Sequence, residues 1–148
     1  MSDSYEYEAE VVWTEGRTGQ VTSEGLPTLQ ISAPAEFAGT PGRWTPEHLL
    51  AAATASCLMT TFLAIAERSK LSIAEYRSKV VARLEKVTGE GYRFTAITIV
   101  PEIEITAEDL EKARVVLAKA EKSCFISNSL RATLQVEPRF LVVAALGT

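Results

Sequence analysis

Several residue types that build common functional sites are scarce in this sequence. Its 148 residues include one histidine and two cysteines, too few for a convincing zinc site, and we predict no metal and no other cofactor. The net charge is −4 and the isoelectric point lies near 5.1, which argues against nucleic acid and an anionic membrane as partners. The two cysteines lack the spacing of a C-x-x-C motif, so their spacing alone diagnoses no function.

The composition is that of an ordinary globular protein. Charged residues make up 23% and apolar residues 47% of the chain, and its length suits one domain over residues 1–148. Residues 1–10 are acidic and polar and show no signal-peptide pattern. We therefore predict a cytoplasmic protein, in a compartment where thiols are kept reduced.

The central feature of the sequence is a predicted helix at residues 45–70. Thr45 is a good N-cap, and Pro46 suits the first helical position, where its missing N–H has no cost. No charged residue, glycine or proline occurs from Leu49 to Ala66, and apolar residues surround nearly the whole helix. This pattern predicts a helix that is buried on most of its surface and is too short to span a bilayer. It either lies inside one chain or packs against its own copy in a homodimer.

Alternating and helical patterns on both sides of this helix predict the remaining elements. A second helix begins at Thr106, has Asp109 in the capping-box position and runs to about Lys122. Pro101 suggests that its strand is an edge or carries a bulge. The order βββ-α-ββ-α-β predicts an α+β fold with antiparallel sheets around a buried central helix. The predicted strands are residues 5–13, 17–23, 29–32, 76–87, 92–105 and 130–136, followed by an apolar tail at 140–146.

Each cysteine admits two interpretations. Cys57 lies in the middle of the central helix, and Cys124 follows the second helix. Each can be an inert buried thiol, the usual fate of cysteine, or a reactive one. The single histidine, His48, precedes Cys57 in the same helix and lies roughly 13 Å from it along the axis. A Cys–His nucleophile pair within the helix therefore fails, which argues against a cysteine hydrolase.

Arg17 and Glu47 are charged residues with candidate roles. Arg17 lies in a Gly-Arg-Thr-Gly turn, where a solvated side chain is an equally good interpretation. Glu47 lies in the first helical turn, where the helix dipole alone would favour it. On one helix, Glu47 and Cys57 are about 15 Å apart along the axis and about 80° apart around it. If both serve one site, a partner chain must supply one of them, and the protein must be an obligate dimer.

Several short motifs, in order along the chain, resemble those of the OsmC/Ohr family of osmotically induced and organic hydroperoxide resistance proteins. Each motif is weak by itself, but the ordered set spans almost the whole chain and agrees with the predicted element order. The matching stretches are residues 16–19, the arginine turn; 34–37 and 42–44, the loop before the helix; 44–53 and 55–57, the cysteine helix; and 124–130, the second cysteine motif, Cys-x-x-Ser-Asn.

The resemblance implies a thiol-dependent peroxidase built as an intertwined homodimer with two sites at its interface. By position, Cys57 resembles the peroxidatic cysteine and Cys124 the resolving one, while Arg17 and Glu47 resemble the pair that poises the thiolate. The implied reaction forms a Cys57 sulfenic acid and then a Cys57–Cys124 disulfide, which an external dithiol such as a lipoyl group reduces. Organic hydroperoxides would suit the apolar neighbours Phe125, Ile126, Leu58 and Met59.

The second cysteine motif departs from the hydroperoxide-resistance branch of the family. It contains Phe125-Ile126, where that branch more typically has proline and an aromatic residue, so the chain is closer to an OsmC-like branch. The alternative function is therefore a non-catalytic dimeric protein that binds a hydrophobic ligand or senses redox state. A strongly depressed pKa of Cys57 would favour the enzyme, whereas a thiol that is inert until unfolding would favour the binding protein.

Overall fold

A computed structural model of the chain describes residues 3–144. The strands are β1 (Glu10–Glu15), β2 (Thr18–Thr22), β3 (Leu29–Ser32), β4 (Glu75–Val87), β5 (Gly91–Thr106), β6 (Thr133–Val136) and β7 (Arg139–Val143), and the helices are α1 (Pro46–Arg68) and α2 (Leu110–Ser123). These elements confirm the α+β class. They fall into two compact units, one up to Leu49 and one from Leu50 onwards. The ends of the predicted domain, of the polar N-terminal stretch and of the apolar tail lie outside the described residues.

The first unit contains a three-stranded antiparallel sheet in the order β1-β2-β3. β3 has its predicted limits, whereas β1 begins at Glu10 rather than at residue 5. The cause is the length of the partner strand, because β2 ends at Thr22, directly opposite Glu10. All of β1 is exposed in a single chain, and Trp13 is 75% exposed.

A close backbone approach holds the loop that follows β3. The backbone N–H of Thr40 donates to Ser32 Oγ at 2.8 Å, and the Ser32 hydroxyl donates to Ala33 O at 2.9 Å. A Cβ on Gly39 would lie 1.5 Å from Ala33 O, so only glycine fits at this position. This contact fixes the path of the chain between β3 and the start of α1.

α1 begins where the sequence predicts it. The backbone N–H of His48 donates to Thr45 Oγ1 at 3.0 Å, which confirms Thr45 as the N-cap. The helix is continuous over 23 residues, from Pro46 to Arg68. The prediction that it is too short to span a bilayer is wrong, because it is long and apolar enough to do so at about 1.5 Å per residue. The core helix of a folded protein meets the same criterion, so this length does not identify a membrane span.

α1 is less buried in a single chain than its apolar pattern predicts. Six of its 23 residues are buried, and the other residues are at least partly exposed. Leu63, on the opposite face, is 39% exposed. Burial on most of the helix surface is therefore not achieved by one chain. The buried residues are Ala51, Thr54, Ala55, Leu58, Phe62 and Ala66, and the exposed stripe is Ala53, Ser56, Thr60, Leu63 and Ala64.

Every strand of the second unit pairs along β5. β4 forms an antiparallel hairpin with it, but β6 and β7 pair with β5 in parallel, so the sheet is mixed rather than antiparallel throughout. The reason is the connection: α2 lies between β5 and β6 and carries the chain back before the next strand begins, as a crossover helix does.

Pro101 lies within β5 but marks neither an edge nor a bulge. β4 pairs with this part of β5 on one side. On the other side, β6 pairs with β5 as far as Ile99 and β7 pairs with it from Glu102 onwards. The missing N–H of Pro101 therefore coincides with the gap between β6 and β7. The register shift of the hairpin lies elsewhere, between Arg83 and Leu84.

α2 starts after a short 3-10 turn rather than through a capping box. Neither Thr106 nor Asp109 makes a side-chain hydrogen bond to the helix end. The inner faces of α1 and α2 and the buried side of β5 form the hydrophobic core of the second unit. Its fully buried members include Leu58, Phe62, Ile97, Ile99, Ile103, Ile105, Ala113 and Ala120.

Replacing Gly39 with alanine is expected to destabilise the first unit by about 3 kcal/mol or more, because the new Cβ would overlap a backbone oxygen. Gly25→Ala is the matched control: no atom lies within 4 Å of its Cβ, and only its φ of +78° resists the change, at about 1–2 kcal/mol. Denaturation followed by the fluorescence of Trp13 and Trp44 reports on this unit. A loss in Gly39→Ala no larger than that in the control would contradict the close approach.

Candidate active site

The second unit brings the two cysteines together. Cys57 lies midway along α1 and is partly exposed, whereas Cys124 directly follows α2 and is fully buried. Both are free thiols. A hydrogen bond from the Cys124 side chain is among the interactions that lower the pKa of Cys57. The fold thus brings the thiol in the middle of α1 close to the thiol at the end of α2.

Hydrogen bonds make Cys57 more acidic than an ordinary cysteine. Burial raises its pKa, but the backbone of Ile126 and the Cys124 thiol lower it. The Thr61 hydroxyl, 3.9 Å from Cys57 Sγ, and the backbone of Phe125 lower the pKa further. The net result is a pKa below the usual cysteine value, which increases the thiolate fraction at neutral pH.

The pKa of Cys124 is shifted in the opposite direction. Burial raises it most, and the hydrogen bond and charge of Cys57 raise it further, while hydrogen bonds from Ser127 oppose the rise. Cys124 Sγ also lies 4.0 Å from the backbone oxygen of Thr54 in α1. Of the two thiols, Cys57 is therefore the one that loses its proton first as the pH rises, and Cys124 keeps its proton longer.

The Ser-Asn part of the second cysteine motif supports the turn after α2. Asn128 Nδ2 donates to Lys122 O at 2.9 Å, and Ser127 Oγ donates to Cys124 O at 3.2 Å. These bonds satisfy carbonyl groups that the end of the helix leaves without intrahelical partners. They also hold the turn that contains Phe125 and Ile126, whose backbone groups hydrogen-bond Cys57.

The apolar residues expected around the site differ in accessibility. Phe125 is 79% exposed beside the partly exposed Cys57. Ile126 and Met59 are partly exposed. Leu58 is fully buried in the hydrophobic core, so the expectation that it lines the site is wrong.

Arg17 and Glu47 lie in the first unit and form no ion pair with each other within residues 3–144. Arg17 is exposed, and its Nη1 donates to Phe37 O at 2.6 Å. Glu47 Oε1 is buried and has no hydrogen-bond partner in the described part of the chain. Since α1 is continuous from Glu47 to Cys57, the separation of about 15 Å along its axis holds.

His48 takes part in the start of α1 rather than in the sulfur site. Its ring is exposed, Nδ1 lies 2.7 Å from Thr45 Oγ1, and the ring stands edge-on to Trp44. Among residues 3–144, no group of three or more His, Cys, Asp or Glu side chains is placed to hold a metal ion.

Two residues near the sulfurs escaped sequence analysis. Thr61 follows Cys57 by one helical turn, and this spacing could have identified it. Tyr76, in β4, packs its ring 5.5 Å from that of Phe62, and its hydroxyl is buried without a hydrogen-bond partner among the described residues. Burial raises the pKa of Tyr76 to about 12, and the charge of Cys124 adds to the rise. No sequence pattern links Tyr76 to Cys124, because their proximity is a product of tertiary packing.

Comparison with known proteins identifies the family. The family model described as OsmC-like protein matches residues 39–139. This stretch is more than half of the chain and contains Glu47 and both cysteines. The chain therefore belongs to the OsmC-like protein family, and the resemblance to OsmC/Ohr proteins is confirmed.

Individual relatives agree with this assignment. The chain is 28% identical over 144 residues to the uncharacterized protein YmaD of Bacillus subtilis (strain 168), covering 93% of each. An OsmC-like protein of unknown function from Vibrio cholerae has the same fold, with a TM-score of 0.83 at 22% identity over 91% of this chain and 99% of that one. An organic hydroperoxide resistance protein OsmC from Legionella pneumophila has a TM-score of 0.73 at 26% identity over 94% and 100%.

Replacing Tyr76 with phenylalanine is expected to preserve or raise stability at neutral pH, because it removes a buried hydroxyl that has no hydrogen-bond partner among residues 3–144. Above about pH 10 the variant should become more stable relative to the wild type. The raised folded pKa means that the wild-type contribution is intact below about pH 10 and is lost as the pH rises from about 10 to about 12.

Denaturation at neutral pH and at about pH 11 measures the difference, which should grow by of order 1 kcal/mol in favour of Tyr76→Phe. Tyr5→Phe, at a position that is 77% exposed, is the control. A clear loss of stability in Tyr76→Phe at neutral pH would show that the hydroxyl has a partner after all.

Proposed function

We propose that the protein is a thiol peroxidase that reduces organic hydroperoxides through Cys57 and Cys124. The observation that carries this proposal is that two free thiols lie close enough to shift each other's pKa values, and that the shifts have opposite directions. A thiolate beside a protonated thiol suits peroxide reduction by disulfide formation. The name of the Legionella pneumophila relative, an organic hydroperoxide resistance protein, supports the choice of substrate.

The proposed reaction has three balanced steps. The Cys57 thiolate attacks the terminal oxygen of the hydroperoxide and breaks the O–O bond. The OH group stays on sulfur, so Cys57 becomes a sulfenic acid, and the alkoxide takes up a proton and leaves as an alcohol. The Cys124 thiol then condenses with the sulfenic acid, which forms the Cys57–Cys124 disulfide and releases water. An external dithiol, such as a lipoyl group, restores both thiols and becomes a disulfide itself.

Loss of the Cys57 charge favours the second step. Burial raises the pKa of Cys124 most, and the hydrogen bond and charge of the Cys57 thiolate raise it further. Oxidation of Cys57 to a neutral sulfenic acid removes that charge, so Cys124 becomes easier to deprotonate when its sulfur must attack. The resolving thiol is thereby less reactive before the first step than after it.

Phe125 is the residue we assign to the organic part of the substrate. Phe125 is 79% exposed, and its backbone hydrogen-bonds the partly exposed Cys57. Contact between such an apolar surface and an alkyl or aryl group would remove both from water and favour binding, whereas hydrogen peroxide has no apolar group to bury. The same exposed surface would suit the alternative function, binding of a hydrophobic ligand without turnover.

We further propose that a homodimer completes the site. Glu47 Oε1 is buried without a hydrogen-bond partner among residues 3–144, a situation that is costly unless a donor arrives from outside the chain. Arg17 is the donor assigned by the family resemblance, and its guanidinium would hold the thiolate and the peroxide oxygen while Glu47 orients it. The half-exposed α1 and the exposed Trp13 supply apolar surface for such an interface.

The setting that this chemistry requires is reducing. Both thiols must be free at the start of each cycle, which agrees with a cytoplasmic location and a dithiol reductant. No cofactor enters the proposed steps, because sulfur carries the electrons in all of them.

Treating the protein with one equivalent of tert-butyl hydroperoxide tests the reaction. We expect loss of both thiols and a mass decrease of two hydrogens per chain, measured by thiol titration and intact mass. Cys57→Ser should abolish the change. Cys124→Ser should still consume the peroxide but stop at a sulfenic acid that a dimedone reagent traps. Two untouched thiols in the wild-type protein would refute the peroxidase and favour the binding protein.

A mixed-dimer experiment tests the shared site. Glu47→Gln and Cys57→Ser should each lower the peroxidase activity of their own homodimers. If Glu47 and Cys57 of one site come from different chains, mixed dimers of the two variants contain one intact site, and mixing should restore up to about half of the wild-type activity per mixed dimer. Co-expression with two affinity tags isolates the mixed dimer. No restoration, or a fully active monomer, would contradict the shared site.

A further inference from the structure

We propose that Thr61 is a positioning residue whose hydroxyl donates a hydrogen bond to the Cys57 thiolate. Its Oγ1 lies 3.9 Å from Cys57 Sγ, within the range of hydrogen bonds to sulfur. Thr61 follows Cys57 by one turn of α1, so both side chains lie on the same strip of the helix. This inference deepens the proposed function, and it can be tested without any peroxide.

The orientation of Thr61 differs from that of other threonines in α1. Thr54 Oγ1 donates to Leu50 O at 2.8 Å, and Thr60 Oγ1 donates to Ser56 O at 3.1 Å. Both thus bond a backbone oxygen one turn earlier, as threonine in a helix commonly does. For Thr61, the recorded side-chain hydrogen bond within the described residues is with the sulfur of Cys57.

The state of the sulfur decides which group donates. In a thiol–hydroxyl pair either atom can give the proton, but a thiolate can only accept one. The pKa of Cys57 lies below the usual value, which increases the share of the charged form, and in that form the Thr61 hydroxyl must be the donor. Within residues 50–144, Cys124 is the titratable side chain that acts on Cys57, and the other donors are the backbones of Phe125 and Ile126.

Thr61 differs from these other donors in the element of structure to which it belongs. Cys124, Phe125 and Ile126 belong to the turn after α2, and Cys124 itself must exchange its hydrogen bond for a covalent bond when the disulfide forms. Thr61 stands on the same helix as Cys57, so helix geometry fixes the distance between their Cβ atoms, and Thr61 stays within reach of the sulfur whenever α1 is intact. The Thr61 hydroxyl can therefore donate a hydrogen bond to the Cys57 thiolate as soon as reduction of the disulfide releases it.

The test is the pH dependence of Cys57 alkylation by iodoacetamide in the full-length reduced protein, with Cys57 identified by peptide mass. Thr61→Val replaces the hydroxyl by a methyl group of nearly the same shape. We expect it to raise the apparent pKa of Cys57 by roughly 0.5–1 unit, so that alkylation near neutral pH slows about three- to tenfold. Thr61→Ser keeps a hydroxyl and should retain at least half of the wild-type shift.

Thr60→Val is the matched control, because the Thr60 hydroxyl donates to the backbone oxygens of Ser56 and Cys57 and not to the Cys57 sulfur. It should leave the apparent pKa of Cys57 unchanged. Equal pKa values in wild type and Thr61→Val would overturn the proposal, as would a serine variant that behaves like the valine variant. A shift in Thr61→Val together with thiols inert to peroxide would support the hydrogen bond while refuting the peroxidase.

Discussion

The packing of α1, α2 and β5 in one hydrophobic core is the constraint that places polar groups around Cys57, where they favour a negative charge on a sulfur atom of a largely apolar helix. Nothing in the sequence of α1 near Cys57 offers a cation, so neutral dipoles must do this work within the unit. The donors come from the turn after α2, and that turn is in place only because α2 packs on α1 and β5 in the same core.

The two units contribute differently to the proposed chemistry. The second supplies the sulfur pair and the dipoles that lower the pKa of Cys57, all from one chain. The first supplies Arg17 and Glu47, one exposed and one carrying a buried oxygen without a partner among the described residues. In the proposed mechanism, the thiolate depends on groups of its own chain, and the charged groups would add peroxide binding once a second chain completes the site.

Local rules predicted those features that depend on neighbours in sequence. The Thr45 cap, the limits of β3 and the β4–β5 hairpin follow from capping, alternation and turn chemistry, and each is present. Parallel pairing of β6 and β7 could not be predicted in this way, because it depends on where α2 returns the chain. The pairing of Cys57 with Cys124 was predicted only from the family resemblance. The lowered pKa of Cys57 could not be predicted, because it depends on backbone groups in the turn after α2, and no side-chain pattern encodes their direction. The proximity of Thr61 to Cys57 could have been predicted from the spacing of four residues in a helix, whereas the proximity of Tyr76 to Cys124 could not.

The parallel attachment of β6 and β7 to β5 also implies an order of events as the protein forms. The β4–β5 hairpin is local, whereas the last two strands must close loops that contain all of α2. Such long closures are slow, so we expect the hairpin to form first and the C-terminal strands to join late. On the ribosome, Cys57 then emerges well before Cys124 and the turn that polarises its sulfur. The nascent chain would thus carry an ordinary thiol, and pulsed alkylation of stalled chains would reveal whether reactivity appears only with the final strands.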